Sequence, residues 1–144
     1  MLVSQILKTK PSNEVVTIPP GATVADAAHM LSDRRIGAVI VSGDGQSADG
    51  ILSERDIVRE LGRRGPGCLS ESVESMMTAR LVSCAPGDLT DAVLQKMTDG
   101  RFRHMPVVQD GKMVGLISIG DVVKARLEEL NAEKDALEGM IKGF

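Results

Sequence analysis

Apolar and polar positions along this chain follow two rhythms, and the order of the rhythms occurs twice. Val24, Ala27, Ala28 and Leu31 fall at i, i+3, i+4 and i+7, which places one apolar stripe on a helix opened by Thr23 as its N-cap. Residues 88–97 carry the counterpart, with Asp26-Ala27 and Asp91-Ala92 in register 65 positions apart. Short apolar runs follow at 35–41 and 101–108, both entered through an arginine at an offset of 66. The first, rich in Val and Ile, predicts a strand buried on both faces. Ahead of the helices, residues 16–21 and 82–87 match at an offset of 66 as short strands stopped by Pro-Gly. Residues 3–7 and 73–77, offset by 70, predict short amphipathic turns.

Gly43-Asp44-Gly45 and Asp110-Gly111-Lys112 are hairpin signals, and strands are predicted beyond them at 50–52 and 113–117. Each strand ends in a serine that opens a helix. Gly50-Ile51-Leu52-Ser53-Glu54-Arg55-Asp56 thus returns as Gly115-Leu116-Ile117-Ser118-Ile119-Gly120-Asp121, shifted by 65 from 50 to 115. Each half reads helix–strand–helix–strand–strand–helix. The Gly/Pro-rich stretch 62–68 separates them, giving a first repeat at 1–62, a linker at 63–70, a second repeat at 71–127 and a helical extension at 128–144. Along the final helix, which runs on from the second repeat into that extension, Val123, Leu127, Leu130, Leu137 and Ile141 step by four and three around Lys134, an a/d seam ended by Gly143. The seam fits either a helix packed on its own domain or a contact between subunits.

Composition narrows the function classes. Among 144 residues, 17 basic against 20 acidic side chains leave a net charge of −3 and no dense basic tract, so a nucleic-acid partner is not expected. Trp and Tyr are absent and Phe occurs twice, which removes a base-stacking platform. Cys68 and Cys84 have no CxxC spacing and no neighbouring histidine, so they read as reduced thiols and no metal site is expected. Residues 1–8 are too short and polar for a signal peptide, and no run approaches the ~20 apolar residues of a membrane span. A cytoplasmic protein without a membrane partner is the expectation.

The corners carry the candidate chemistry. Ser53 with Asp56, and Ser118 with Asp121, have the spacing of a capping box, in which each side chain satisfies a backbone N–H of the new helix. Duplicated at one topological place, the same pair also fits a ligand grip. An aspartate at a strand end can accept two hydrogen bonds from a ribose diol, and the helix N-terminus offers N–H groups to an anion. Arg55 and Arg59 stand at the first corner, and Arg35 and Arg101 occupy equivalent places. Their guanidinium forks suit phosphate oxygens. Arg103 and His104 have Gly37 and Ala38 as counterparts, so the two halves are unequal. His104 reads equally as a phosphate donor or a rim histidine, and His29 as incidental. No GxSxG, GxxxxGK[ST] or HExxH is present, no catalytic residue is assigned, and an enzyme is not expected.

With the motif Gly-apolar-apolar-Ser-x-x-Asp at 50–56 and 115–121, and Arg101-Phe102-Arg103-His104-Met105-Pro106-Val107-Val108 before the second copy, the chain resembles a tandem pair of CBS (cystathionine β-synthase) domains over residues 1–127. The likeness is to small stand-alone bacterial proteins of that kind. It implies an α+β fold of α/β-type repeats, the CBS pair or Bateman module: two pseudo-twofold β-α-β-β-α repeats with packed sheets, here with a long C-terminal helix. It further implies two clefts for adenosine-containing ligands such as AMP, ADP, ATP, NAD(H) or S-adenosylmethionine, bound reversibly and not as a prosthetic group. By that resemblance one cleft uses Ser53 and Asp56 for the ribose, Ser83 and Cys84 near the base, and Arg103 and His104 toward the phosphates. The other uses Ser118 and Asp121 with Thr17 and Ile18, and Arg35 as its cation. A sensor acting as a homodimer on a further protein is the function expected, with a ligand-free interaction module as the alternative.

Overall fold

The computed structural model describes residues 1–142. Its elements are α1 (Val3–Thr9), β1 (Thr17–Ile18), α2 (Val24–Arg34), β2 (Ala38–Val41), β3 (Gly50–Ser53), α3 (Glu54–Arg64), a 3₁₀ turn (Pro66–Ser70), α4 (Val73–Met76), α5 (Thr90–Gly100), β4 (His104–Gln109), β5 (Lys112–Ser118) and α6 (Ile119–Ile141). This is the mixed helix and sheet architecture expected, with the long helix last. Gly143, the expected end of the seam, lies outside the described residues. No described helix is long and apolar enough to cross a membrane.

The sheets follow the alternation of the sequence. β1 runs parallel to β2, and β2 antiparallel to β3, with Ala38 opposite Ser53. All four residues of β2 are buried, as its unbroken apolar run requires. In the second half β4 and β5 form a hairpin with His104 opposite Ser118. The predicted strand before it contracts to one parallel bridge between Cys84 and Val107, where the Cys84 N–H donates to the Pro106 carbonyl at 3.0 Å.

The two turns differ. Asp110 and Gly111 both take positive φ (54° and 77°), as a two-residue hairpin demands. The first connection is a longer loop between Val41 and Gly50, tied together by Asp44. That carboxylate accepts hydrogen bonds from the Gln46 and Ser47 N–H groups and from the Ser42 and Ser47 hydroxyls. The linker is also partly structured: α3 persists to Arg64, Gly65 turns the chain at φ 79°, and Cys68 is buried in the 3₁₀ turn.

Two apolar cores form, and each borrows a helix from the other half. Val3, Ile6 and Leu7 of α1 pack with Val93, Met97, Met105, Val107, Ile117 and Val122. Val73 and Met76 of α4 pack with Val24, Leu31, Val39, Leu52 and Ile57. This exchange explains the glycine that opens each repeated motif. A β-carbon on Gly115 would lie 2.7 Å from Cδ2 of Leu7, and one on Gly50 would run into the thioether of Met77. Each strand needs a bare backbone where the other half's first helix crosses it.

Candidate functional site

Both corners fold as capping boxes. The Ser53 hydroxyl oxygen accepts from the Asp56 N–H at 3.2 Å, while Asp56 Oδ2 accepts from the Ser53 N–H at 3.0 Å and from the Ser53 hydroxyl at 2.9 Å. At the second corner the Asp121 N–H donates to Ser118 Oγ at 3.1 Å and the Ser118 N–H donates to Asp121 Oδ2 at 2.9 Å. Thr23 and Asp26 make the same box at the start of α2, but they line neither of the clefts described below. What distinguishes the two strand-end corners is therefore their surroundings and not their hydrogen bonds.

The Asp56 corner opens on a cleft of about 850 Å³. One wall is the corner itself with Arg55 and Arg59. A second is the segment Thr78, Arg80, Leu81 and Val82, held against β3 by paired backbone hydrogen bonds between Thr78 and Ile51 at 2.9 and 3.0 Å. A third comes from the end of α5 and the start of β4, with Arg101, Phe102, Arg103 and His104. Five arginines thus face two carboxylates, Glu54 and Asp56. Arg59 binds Asp56 Oδ1 at 3.1 Å, whereas among the described residues Arg55, Arg80, Arg101 and Arg103 are in no ion pair. The cleft is a cationic space beside a carboxylate whose side chain is 15% exposed.

The Asp121 corner opens on a smaller cleft of about 250 Å³ without an arginine. Its cation is Lys10, whose ammonium donates to the Leu116 carbonyl at 2.8 Å and to Asp121 Oδ2 at 3.2 Å. Lys10 therefore neutralises the second aspartate, and Glu14 adds a negative charge to the same wall.

His104 stands between the clefts and lines both. A β-carbon on Gly37 would lie 3.3 Å from its Nε2, so the small residue opposite Arg103 in the repeat makes room for the ring. Burial lowers the His104 pKa, aided by Arg103 and Lys10 and opposed by Asp121 and Glu54. A histidine whose folded pKa lies below its unfolded value of about 6.5 costs stability as pH falls through that value toward the folded one. His104→Gln is expected to lose less Tm than the unaltered chain between about pH 7.5 and about pH 5.5. Equal losses in thermal melts would refute this assignment.

Of the residues expected in the first cleft, Ser53, Asp56, Arg103 and His104 come together, while Ser83 and Cys84 do not reach the lining. Cys84 is buried in a core, and burial pushes its thiol up to about 11. Ser118 and Asp121 line the second cleft, but Thr17, Ile18 and Arg35 do not. Ile18 is a core residue, and Arg35 is exposed at the C-cap of α2, in a left-handed conformation (φ 54°) that Arg101 shares at the end of α5. Those paired arginines hold the same backbone position, yet only Arg101 faces a cleft.

The displacement of Ser83, Cys84, Thr17 and Ile18 from the clefts has a geometric cause. Thr17 is level with Ile40, and Cys84 with Val107, in parallel pairings. The corners lie at the other end of β2 and β4, level with Ala38 and His104. Residues two or three positions upstream of Ile18 and Cys84, Val15-Val16 and Leu81-Val82, therefore line the clefts. Their matched apolar pairs at an offset of 66 were a usable signal. Arg80 and Lys10, on unmatched irregular segments, left none.

A family model described as the CBS domain matches the chain twice, at residues 3–63 and 73–128. A mitochondrial CBS domain-containing protein of Arabidopsis thaliana is 37% identical over 125 residues, covering 84% of this chain. The chain spans 61% of that protein's length and about a quarter of two further CBS domain-containing proteins from the same plant (24% and 23%). Among solved structures, a CBS-domain containing protein from Agrobacterium tumefaciens superposes with a TM-score of 0.82 at 43% identity, covering 87% of this chain and 92% of that one. A CBS domain protein from Pyrobaculum aerophilum, complexed with AMP, superposes with a TM-score of 0.78 at 26% identity, covering 92% and 99%.

Proposed function

The chain belongs to the CBS-domain family as a tandem pair, and on that footing we propose that it is a non-catalytic regulatory module that binds AMP, ADP or ATP in the Asp56 cleft. The observation that carries this reading is the meeting of the Asp56 carboxylate with four arginines that have no ion-pair partner among the described residues. Asp56 takes the ribose diol, Leu81 and Val82 flank the base, and Arg80 and Arg103 receive the phosphates. A cleft of about 850 Å³ lies within the usual range for such ligands. The Pyrobaculum relative complexed with AMP supports the ligand class. The Asp121 cleft, smaller and already neutralised by Lys10, is the weaker site for a phosphorylated ligand. The module acts as a homodimer on a further protein.

Titration calorimetry with AMP, ADP, ATP and NAD(H) tests the reading. We expect measurable binding of at least one mononucleotide and a loss of tenfold or more in Asp56→Ala, since a hydrogen bond to a charged group contributes about 1.5–3 kcal/mol. Asp121→Ala is expected to leave the tighter site unchanged. Unaltered affinity in Asp56→Ala would remove the site assignment, and NAD(H) binding above all mononucleotides would move the ligand class. A ligand-free interaction module is the second reading, favoured by the corner aspartates' service as helix caps. It requires that no nucleotide raise the Tm.

A further inference from the structure

The apolar seam of α6 is not spent on the protein's own cores. Val122 and Ala125 point inward and are buried, while Val123, Leu127, Leu130, Leu137 and Ile141 are 41–77% exposed. Own-domain packing, one of the two readings of this heptad pattern, therefore accounts for the opposite face of the helix only. Resting on the homodimer reading above, we propose that this seam is the surface on which two copies of the chain pair, with their α6 helices antiparallel.

The side chains along the seam select both the occupant and the direction. Stepping by four and three places Val123, Leu130 and Leu137 at d, and Leu127, Lys134 and Ile141 at a. A parallel pair would stack Lys134 on its own copy in the seam. It would also set Glu133 against Glu138 of the other chain on both sides, since parallel flanks join g to the e position five residues on. Antiparallel pairing about a dyad between Leu130 and Lys134 removes these clashes. Val123 then faces Ile141, Leu127 faces Leu137, and Lys134 lies beside Leu130 with its long stem along apolar surface and its ammonium outward. The flanking e positions bring Lys124 of each chain to Glu138 of the other. Glu133 meeting its copy is the single like-charge contact among these flanks. Lys134 already lies 3.8 Å from Glu138 on its own helix, so its charge stays balanced at the edge of the seam. The flanks carry both signs and do not form the basic face of a membrane-surface helix. A second copy of this chain is the complement these flanks fit.

Sedimentation velocity tests the surface. The unaltered chain is expected to be a dimer. Leu130→Glu with Leu137→Glu is expected to be a monomer at the same concentration, with unchanged helical circular dichroism, because both positions are exposed. Direction is read by cross-linking under oxidation. Leu127→Cys with Leu137→Cys should yield disulfide-linked dimers, and Leu137→Cys alone should not. Cys68 and Cys84 are buried and do not compete. A dimer that survives the paired Glu substitutions overturns this surface while leaving the homodimer reading standing. A monomeric unaltered chain overturns both. Self-cross-linking of Leu137→Cys alone overturns the antiparallel arrangement, as does seam-dependent binding of the monomer to anionic vesicles for the choice of occupant.

Discussion

Ile6→Ala is expected to lower the unfolding free energy by about 2–5 kcal/mol, the range for removing a large aliphatic side chain from a closed core. Ile6 stands in the first half of the sequence, yet the core it joins contains Met97, Met105, Val107 and Ile117 of the second. The loss should therefore appear as exposure of the second half's core, with protection against hydrogen exchange falling first at β4 and β5. Urea denaturation measures the total, and Val58→Ala, at an exposed position of α3, serves as a control expected within about 0.5 kcal/mol. A cost below that control would mean that α1 is not seated where Leu7 meets Gly115. The same exchange of helices predicts that a fragment starting at residue 71 cannot close its core, because Val3, Ile6 and Leu7 are missing from it.

Replacing Arg80 and Arg103 together by alanine is expected to weaken ATP binding by 100-fold or more and to leave adenosine binding unchanged. Each guanidinium that pairs with a phosphate contributes about 1.5–3 kcal/mol, and two such losses compound to at least two orders of magnitude. Adenosine has no phosphate, so its affinity reports on the ribose and base walls alone. Both arginines are exposed, and neither is in an ion pair among the described residues, so their removal disturbs no internal contact of that kind. Calorimetry of both ligands on the double variant decides the matter. A fall of less than about threefold for ATP would take the phosphates away from this wall, since it is smaller than the loss of one charged contact. Equal falls for ATP and adenosine would point to a collapsed cleft.

The sequence carried much of this arrangement because its signals are local. Ser53 and Ser118 mark the strand-to-helix corners with their capping partners three residues on, and Thr23 marks α2 in the same way. Asp110-Gly111 specifies its tight turn through positive φ. The first connection was less legible, because Asp44 gathers four hydrogen bonds across a loop that the bare Gly-Asp-Gly signal does not measure. Ser83, Cys84, Thr17 and Ile18 fall outside the clefts because a parallel ladder has a register, and register is set by the partner strand. Arg35 and Arg101 looked like paired ligands. They share a left-handed backbone position at a helix end, yet only Arg101 lines a cleft.

Repetition, the order of elements, the two Ser-x-x-Asp corners and the apolar seam of α6 were determined by the sequence alone, since each is a pattern of spacing along the chain that needs no knowledge of what folds against it. Tertiary structure decided what surrounds the corners. Equivalent capping boxes became different clefts because the segments that fold across them carry different side chains. Arg80, Arg101 and Arg103 are gathered beside Asp56, while Lys10 reaches over to neutralise Asp121. The motif glycines, Gly50 and Gly115, likewise acquire their reason only when each half's first helix crosses to the other half's core. Charge and packing act through space, and the repeat places equivalent residues at equivalent backbone positions without giving them equivalent neighbours.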